Sequence, residues 1–183
     1  MIEQINPLNL IDFYKADHRS QYPKGTEYVY SNFTPRMSRV AGIDRVVVFG
    51  IQYLLMEYLV DRFNKYFFHK PKSEAVRGFQ RRMDTALGSG AVECSHVEAL
   101  HDLGYLPIRI KALEEGTICP IKVPIMTIVN TKPEFFWLTN ALETLISSVL
   151  WKPMTSATTA LAYRKKFQEF ANETGYPRDF VKW

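Results

Sequence analysis

The sequence predicts an α+β fold, a largely antiparallel sheet flanked by helices, and three observations carry that prediction. Short runs with a period of two, at Thr26–Phe33, Ile108–Ala112 and Ile125–Val129, read as half-buried strands. Longer runs with apolar residues at three- and four-residue steps read as helices that each turn one face to a core. The two kinds follow one another irregularly, with no repeating βαβ unit, which argues against a doubly wound parallel sheet.

The opening segment Ile11–Pro23 (IDFYKADHRSQYP) sets an acid, an aromatic, two bases and a histidine within about two helical turns. It is too apolar at its start and too mixed in charge to be a disordered leader. Thr26–Phe33 follows as an aromatic-rich strand, and then a basic loop carries Arg36 and Arg39. Val46–Phe49 is a short apolar strand. Gly50 turns the chain into a helix on which Ile51, Leu55, Tyr58 or Leu59, Arg62 or Phe63, and Tyr66 recur. A second helix spans Ser73–Leu87, with Val76, Phe79, Met83 and Ala86 on one face, and stops at Gly88 and Gly90. Ser95 and Glu98 form a capping-box pattern for a short helix ending at Gly104.

In the strand pair that follows, Ile108, Ile110 and Ala112 alternate with Arg109 and Lys111, and Glu115, Gly116 and Pro120 punctuate the connection to Ile125–Val129. Thr131 and Glu134 form a second capping box, with Pro133 in the first turn. It opens a helix on which Phe135, Leu138, Leu142, Leu145 and Val149 repeat. Pro153 is expected to end that helix, having no N–H to donate. A last helix runs from Thr155 to about Thr174 and closes at Gly175 and Pro177. A new strand is expected near Asp179, so the chain reads as unfinished at Trp183.

A length of 183 residues allows one domain with a sizeable core or one part of a two-domain protein. Hydrophobic content of 46% and aromatic content of 14% exclude disorder. The 23 basic and 19 acidic residues give a net charge of +4, which suits a phosphorylated ligand and is too weak to argue for nucleic acid. Cys94 and Cys119 make no disulfide framework and suit a reducing compartment. No run approaches ~18 apolar residues and no basic region precedes an apolar leader, so the expectation is a soluble cytoplasmic protein without a membrane partner.

Among chemistry-bearing residues, Tyr14 could lie flat on an aromatic ring or simply fill the core. Asp12 could equally cap a helix, and Lys15 and His18 read as surface groups. Arg36 and Arg39 have the permanent charge and bidentate donors that phosphate oxygens need, though a solubilising loop has the same composition. Cys94, His96 and His101 lack a fourth ligand for zinc. There is no nucleophile elbow, Walker loop or dinucleotide fingerprint, and no complete catalytic centre.

Taken together, the spacing Asp12-x-Tyr14-Lys15-x-x-His18-x-x-Gln21-Tyr22-Pro23 resembles the amino-terminal segment of the nicotinamide phosphoribosyltransferase family. Val29–Arg36 (VYSNFTPR), Phe49–Leu55, Leu106–Pro120, Pro124–Ile146 and Ser156–Ala160 resemble later blocks of that family, in order, while Lys70–His101 looks family-variable. The resemblance implies a fold in two parts, an α+β sandwich packed on an α/β barrel. Residues 1–183 would cover the amino-terminal stretch, with the barrel outside the sequence. It implies transfer of a phosphoribosyl group from phosphoribosyl pyrophosphate to the ring nitrogen of nicotinamide, releasing pyrophosphate, with Mg2+ accompanying the phosphates. ATP would act through a barrel histidine that is transiently phosphorylated.

By position, Tyr14 matches the tyrosine that one subunit lends to its neighbour's site to stack on nicotinamide. Asp12 falls at the acidic position beside it, and Arg36 at an arginine that helps bind the phosphates. No role carries over to Lys15, Arg39 or His18, and no catalytic residue lies in this stretch. The resemblance therefore implies a homodimer with shared sites, and a chain inactive without the barrel. A nicotinate-using relative and a truncated homologue acting as a binding module are the alternatives.

Overall fold

The computed structural model describes residues 5–177. The strand expected near Asp179 lies outside the described residues. Among the described residues, five short strands, β1 (Tyr30–Phe33), β2 (Arg45–Val47), β3 (Ile108–Ala112), β4 (Ile118–Pro120) and β5 (Met126–Asn130), form two sheets, ordered β1-β5-β3 and β2-β4, every pairing antiparallel. The helices are α1 (His18–Gln21), α2 (Ile51–Tyr53), α3 (Lys72–Leu87), α4 (Ser95–Leu103), α5 (Leu138–Ala141) and α6 (Glu143–Thr174). The α+β class with antiparallel sheets is as the sequence predicts.

Central strand β5 buries Met126, Ile128 and Asn130 on one face, the period-two pattern seen in the sequence. Asn130 explains why β1 begins only at Tyr30. Its side-chain amide donates to the Glu27 carbonyl at 2.7 Å and the Lys132 carbonyl at 2.8 Å, and its carbonyl accepts from the Val29 N–H at 2.8 Å. Residues 27–29 thus bond to a side chain where a ladder was expected. The strand β4 was not anticipated, since Gly116 and Pro120 read as turn residues; its register sets Cys119 opposite Val46 and buries it.

Several local expectations are overturned, each for a tertiary reason. The helix after Gly50 widens into π turns at Leu54–Arg62 and Asn64–Phe68. Bonding to the fifth residue back adds residues to each turn, so the buried stripe is Ile51, Leu54, Leu59, Phe63 and Phe67, while Leu55 and Tyr66 are only half-buried. On α3, Ala75, Val76, Phe79 and Met83 are buried but Ala86 is exposed. Neither capping box forms: Ser95 lies inside α4 behind Cys94, and the Thr131 N–H donates to the Pro107 carbonyl ahead of a 3-10 turn at Pro133–Phe135.

Pro153 does not end a helix, because α6 runs through it to Thr174. The proline ring is seated on Gly50, where an added Cβ would lie 2.7 Å from the Pro153 Cγ. Gly50 also sits at φ +93°, a conformation side chains resist. A residue without a side chain at Gly50 therefore lets α6 pass close to β2 and α2.

Candidate functional site

The opening segment folds as a 3-10 turn, Phe13–Ala16, followed by α1. Asp12 precedes that turn in extended conformation and makes no side-chain cap. Its carboxylate instead accepts from the Thr144 hydroxyl at 2.9 Å and the Tyr14 hydroxyl at 3.2 Å, and its N–H donates to Thr144 Oγ1 at 3.3 Å. Tyr14 is thereby tethered through its hydroxyl while the residue stays 61% exposed, with the Lys15 ammonium 5.2 Å from the ring centroid. The His18 ring lies 5.2 Å from it, centre to centre.

Lys15, expected at the surface, turns inward. Its side chain is 2% exposed, and its ammonium donates to Asn140 Oδ1 at 3.1 Å and pairs with Glu143. Asn140 in turn donates to the Tyr22 hydroxyl at 3.1 Å. An ammonium buried that deeply needs a partner, and here both partners stand at the junction of α5 and α6.

Tyr22, Asn140 and Glu143 face an open cleft of about 830 Å³, bounded by β1 and the loop after it on one side and by α5 and α6 on the other. Ligand sites commonly fall in the range of 300–1,000 Å³. Arg36 stands on its rim, exposed and without a hydrogen-bond or ion-pair partner among the described residues. Its loop is held by the Lys122 N–H, which donates to the Pro35 carbonyl at 2.7 Å. Lys122 adopts φ +67°, the one positive φ at a non-glycine residue among those described. Thr139, 2% exposed, brings to the same cleft a buried hydroxyl with no partner among the described residues.

Asp12 and Tyr14 are therefore brought together, and Arg36 stands apart from them on the cleft, which neither Asp12 nor Tyr14 lines. Arg39 is exposed and lies outside the cleft. Sequence reasoning missed Lys15, Asn140, Glu143 and Thr139. A signal was available: Thr139, Asn140, Glu143 and Ser147 make a polar stripe along a segment whose other face is Leu138, Leu142 and Leu145.

No group of three or more His, Cys, Asp or Glu side chains among the described residues is placed to hold a metal ion. Among the described residues lining the cleft Glu143 is the one carboxylate, fewer than a Mg2+ ion held by the protein alone would use. Cys94, His96 and His101 are divided between other tasks. The Cys94 thiol faces the Val92 carbonyl, burial holds the His96 imidazole neutral with a pKa lowered to about 4, and His101 Nε2 lies 2.9 Å from the Lys70 carbonyl. No described helix is long and apolar enough to cross a membrane.

Residues 6–87 match the family described as nicotinamide phosphoribosyltransferase, N-terminal domain. The chain is 54% identical over 177 residues to a nicotinamide phosphoribosyltransferase of Acinetobacter baylyi, covering 94% of this chain and 35% of that protein. It is 32% identical over 164 residues to one of Xanthomonas campestris, covering 89% of this chain and 32% of that protein. The chain thus spans about a third of the length of these curated relatives. Among solved structures, a human nicotinic acid phosphoribosyltransferase superposes with a TM-score of 0.56 at 18% identity, over 81% of this chain and 27% of that one, a likeness of fold.

Proposed function

We propose that this chain is the amino-terminal portion of a nicotinamide phosphoribosyltransferase and that it supplies part of an active site that joins nicotinamide to the ribosyl carbon of phosphoribosyl pyrophosphate, releasing pyrophosphate. The observation that carries this reading is the Tyr14 mount. An aromatic residue is left 61% exposed while its hydroxyl is tied to Asp12, and Asp12 to Thr144. A ring fixed at one end, with the Lys15 ammonium 5.2 Å from its centroid over one face, would stack on a flat pyridine through the other, and the orientation of that base would follow from the mount.

Tyr14 stands outside its own cleft, which favours a tyrosine lent to a neighbouring subunit and hence a homodimer. Arg36, unpaired on the rim, would take phosphate oxygens through its planar donors and offset charge on the departing pyrophosphate. Mg2+ would arrive with the pyrophosphorylated sugar. The barrel with its ATP-linked histidine would cover the exposed aromatics of α6, Trp151, Tyr163, Phe167 and Phe170. Two unpaired cysteines, Cys94 and Cys119, favour the cytoplasm.

Turnover by the gene product that contains this segment tests the reading. Nicotinamide and phosphoribosyl pyrophosphate should yield nicotinamide mononucleotide and pyrophosphate, while residues 1–183 alone should yield none. Preference for nicotinate would overturn the choice of base, and turnover by the isolated chain would overturn the shared site.

A further inference from the structure

Beneath the turn that carries Tyr14, and apart from the cleft, lies a small cavity of about 20 Å³. Arg19, His96 and Trp137 line it, on α1, on α4 and just ahead of α5. Each contributes one buried side-chain nitrogen, Arg19 Nε, His96 Nδ1 and Trp137 Nε1, that bonds to no group among the described residues. His96 and Trp137 are 9% and 6% exposed, and their rings meet edge to face at 4.7 Å, so neither can swing out to solvent without opening the core. Buried polar groups are almost always satisfied, and three unsatisfied nitrogens around one cavity point to a common partner.

We propose that this cavity is a binding site for one ordered water molecule, which ties the opening segment to α4 and α5. The donor inventory selects water. An indole and a guanidinium Nε can only donate, and a neutral His96 with its proton on Nε2 can accept at Nδ1. With the His96 proton on Nε2, the tautomer this proposal takes, the ligand must accept twice and donate once. A halide cannot donate, and an ammonium ion cannot accept. A cavity needs roughly 10–15 Å³ of such volume for one water, so 20 Å³ holds one. Burial first, and then the neighbouring Arg19 charge, outweigh the opposing pull of the Glu93 carboxylate and its backbone carbonyl and keep His96 neutral, as acceptance requires. The water would thus fix the orientation of the segment from which Tyr14 projects, whatever that tyrosine meets.

A crystal structure of this chain that displays ordered solvent should show one peak within hydrogen-bonding distance of all three nitrogens. Absence of that peak, or a bromide anomalous signal in its place after a halide soak, overturns the proposal. In solution, the Trp137 indole N–H should show a water cross-relaxation peak that is lost in His96→Leu, which removes the acceptor; a peak unchanged in that variant counts against the site. A measurement needing no variant is the His96 tautomer by ring nitrogen-15 shifts. A proton on Nε2 is expected, and one on Nδ1 overturns the assignment.

Discussion

Gly50→Ala should be among the most damaging single-methyl changes available in this chain. The new Cβ would lie 2.7 Å from the Pro153 Cγ and 3.1 Å from its Cβ, on a backbone at φ +93°. Left-handed backbone costs a residue with a side chain roughly 1–2 kcal/mol, and forcing a methyl into a filled contact costs roughly 1–3 kcal/mol more. The sum is roughly 2–5 kcal/mol, or about 4–20 °C in Tm for a chain of this size. Urea denaturation followed by circular dichroism would read it, and a double-mutant cycle would divide it. Pro153→Ala removes the Cγ but leaves the backbone strain, so the pair should couple favourably by roughly 1–2 kcal/mol. Additive behaviour, or a Gly50→Ala change below about 0.5 kcal/mol, would refute the close seat. The same contact bears on function, because Met154 and Thr155, directly after the proline, line the cleft. Farther along α6, Thr158 Oγ1 accepts from the Val47 N–H at 3.0 Å, a second tie between the helix and β2.

His96 should make the fold acid-sensitive. Its pKa is lowered from 6.5 to about 4 in the fold, so the unfolded chain takes up the proton first. The stabilisation is complete above about pH 6.5, falls as pH drops from there, and is fully lost below about pH 4, by roughly 3 kcal/mol in all. The pH slope should shrink in His96→Leu, and equal slopes in parent and variant would contradict this. Lys15→Met should cost roughly 1–3 kcal/mol by unpairing Asn140 and Glu143 and should speed amide exchange over residues 13–17; unchanged exchange would show the lysine is not what holds the turn. In the gene product that contains this segment, Tyr14→Ala should weaken use of nicotinamide by ~1 kcal/mol or more without unfolding the chain, and unaltered nicotinamide kinetics would remove Tyr14 from the site. Arg36→Ala should chiefly raise the KM for phosphoribosyl pyrophosphate, whereas a change in thermal stability alone would return Arg36 to a surface loop.

What was legible in the sequence was what neighbours along the chain decide. The alternation of β3 and β5 and the apolar face of α3 from Val76 to Met83 are fixed by local periodicity, and they were readable. The same limit explains the failures. Whether a proline interrupts a helix depends on what its ring meets, and here it meets a glycine a hundred positions earlier. Whether the helix after Gly50 winds as α or π depends on how Leu59, Phe63 and Phe67 fit the core they enter, which the spacing of Leu55 and Tyr66 could not reveal.

The site divides along the same line. Asp12, Tyr14 and Arg36 stand out in the sequence because their joint spacing resembles a family, and that spacing is a property of the chain alone. Lys15 does not stand out, because a lysine in a mixed-charge turn is ordinarily solvated. Its burial is set by Asn140 and Glu143, 125 and 128 residues later. That long-range pairing gives the segment a consequence no single residue announces. Desolvating the lysine is costly unless both partners are in place, so the turn that presents Tyr14 can adopt this position only once α5 and α6 have met. The exposed aromatic is thus placed by the helix junction that forms the far wall of the cleft, and a change at Asn140 or Glu143 should move Tyr14 without touching it.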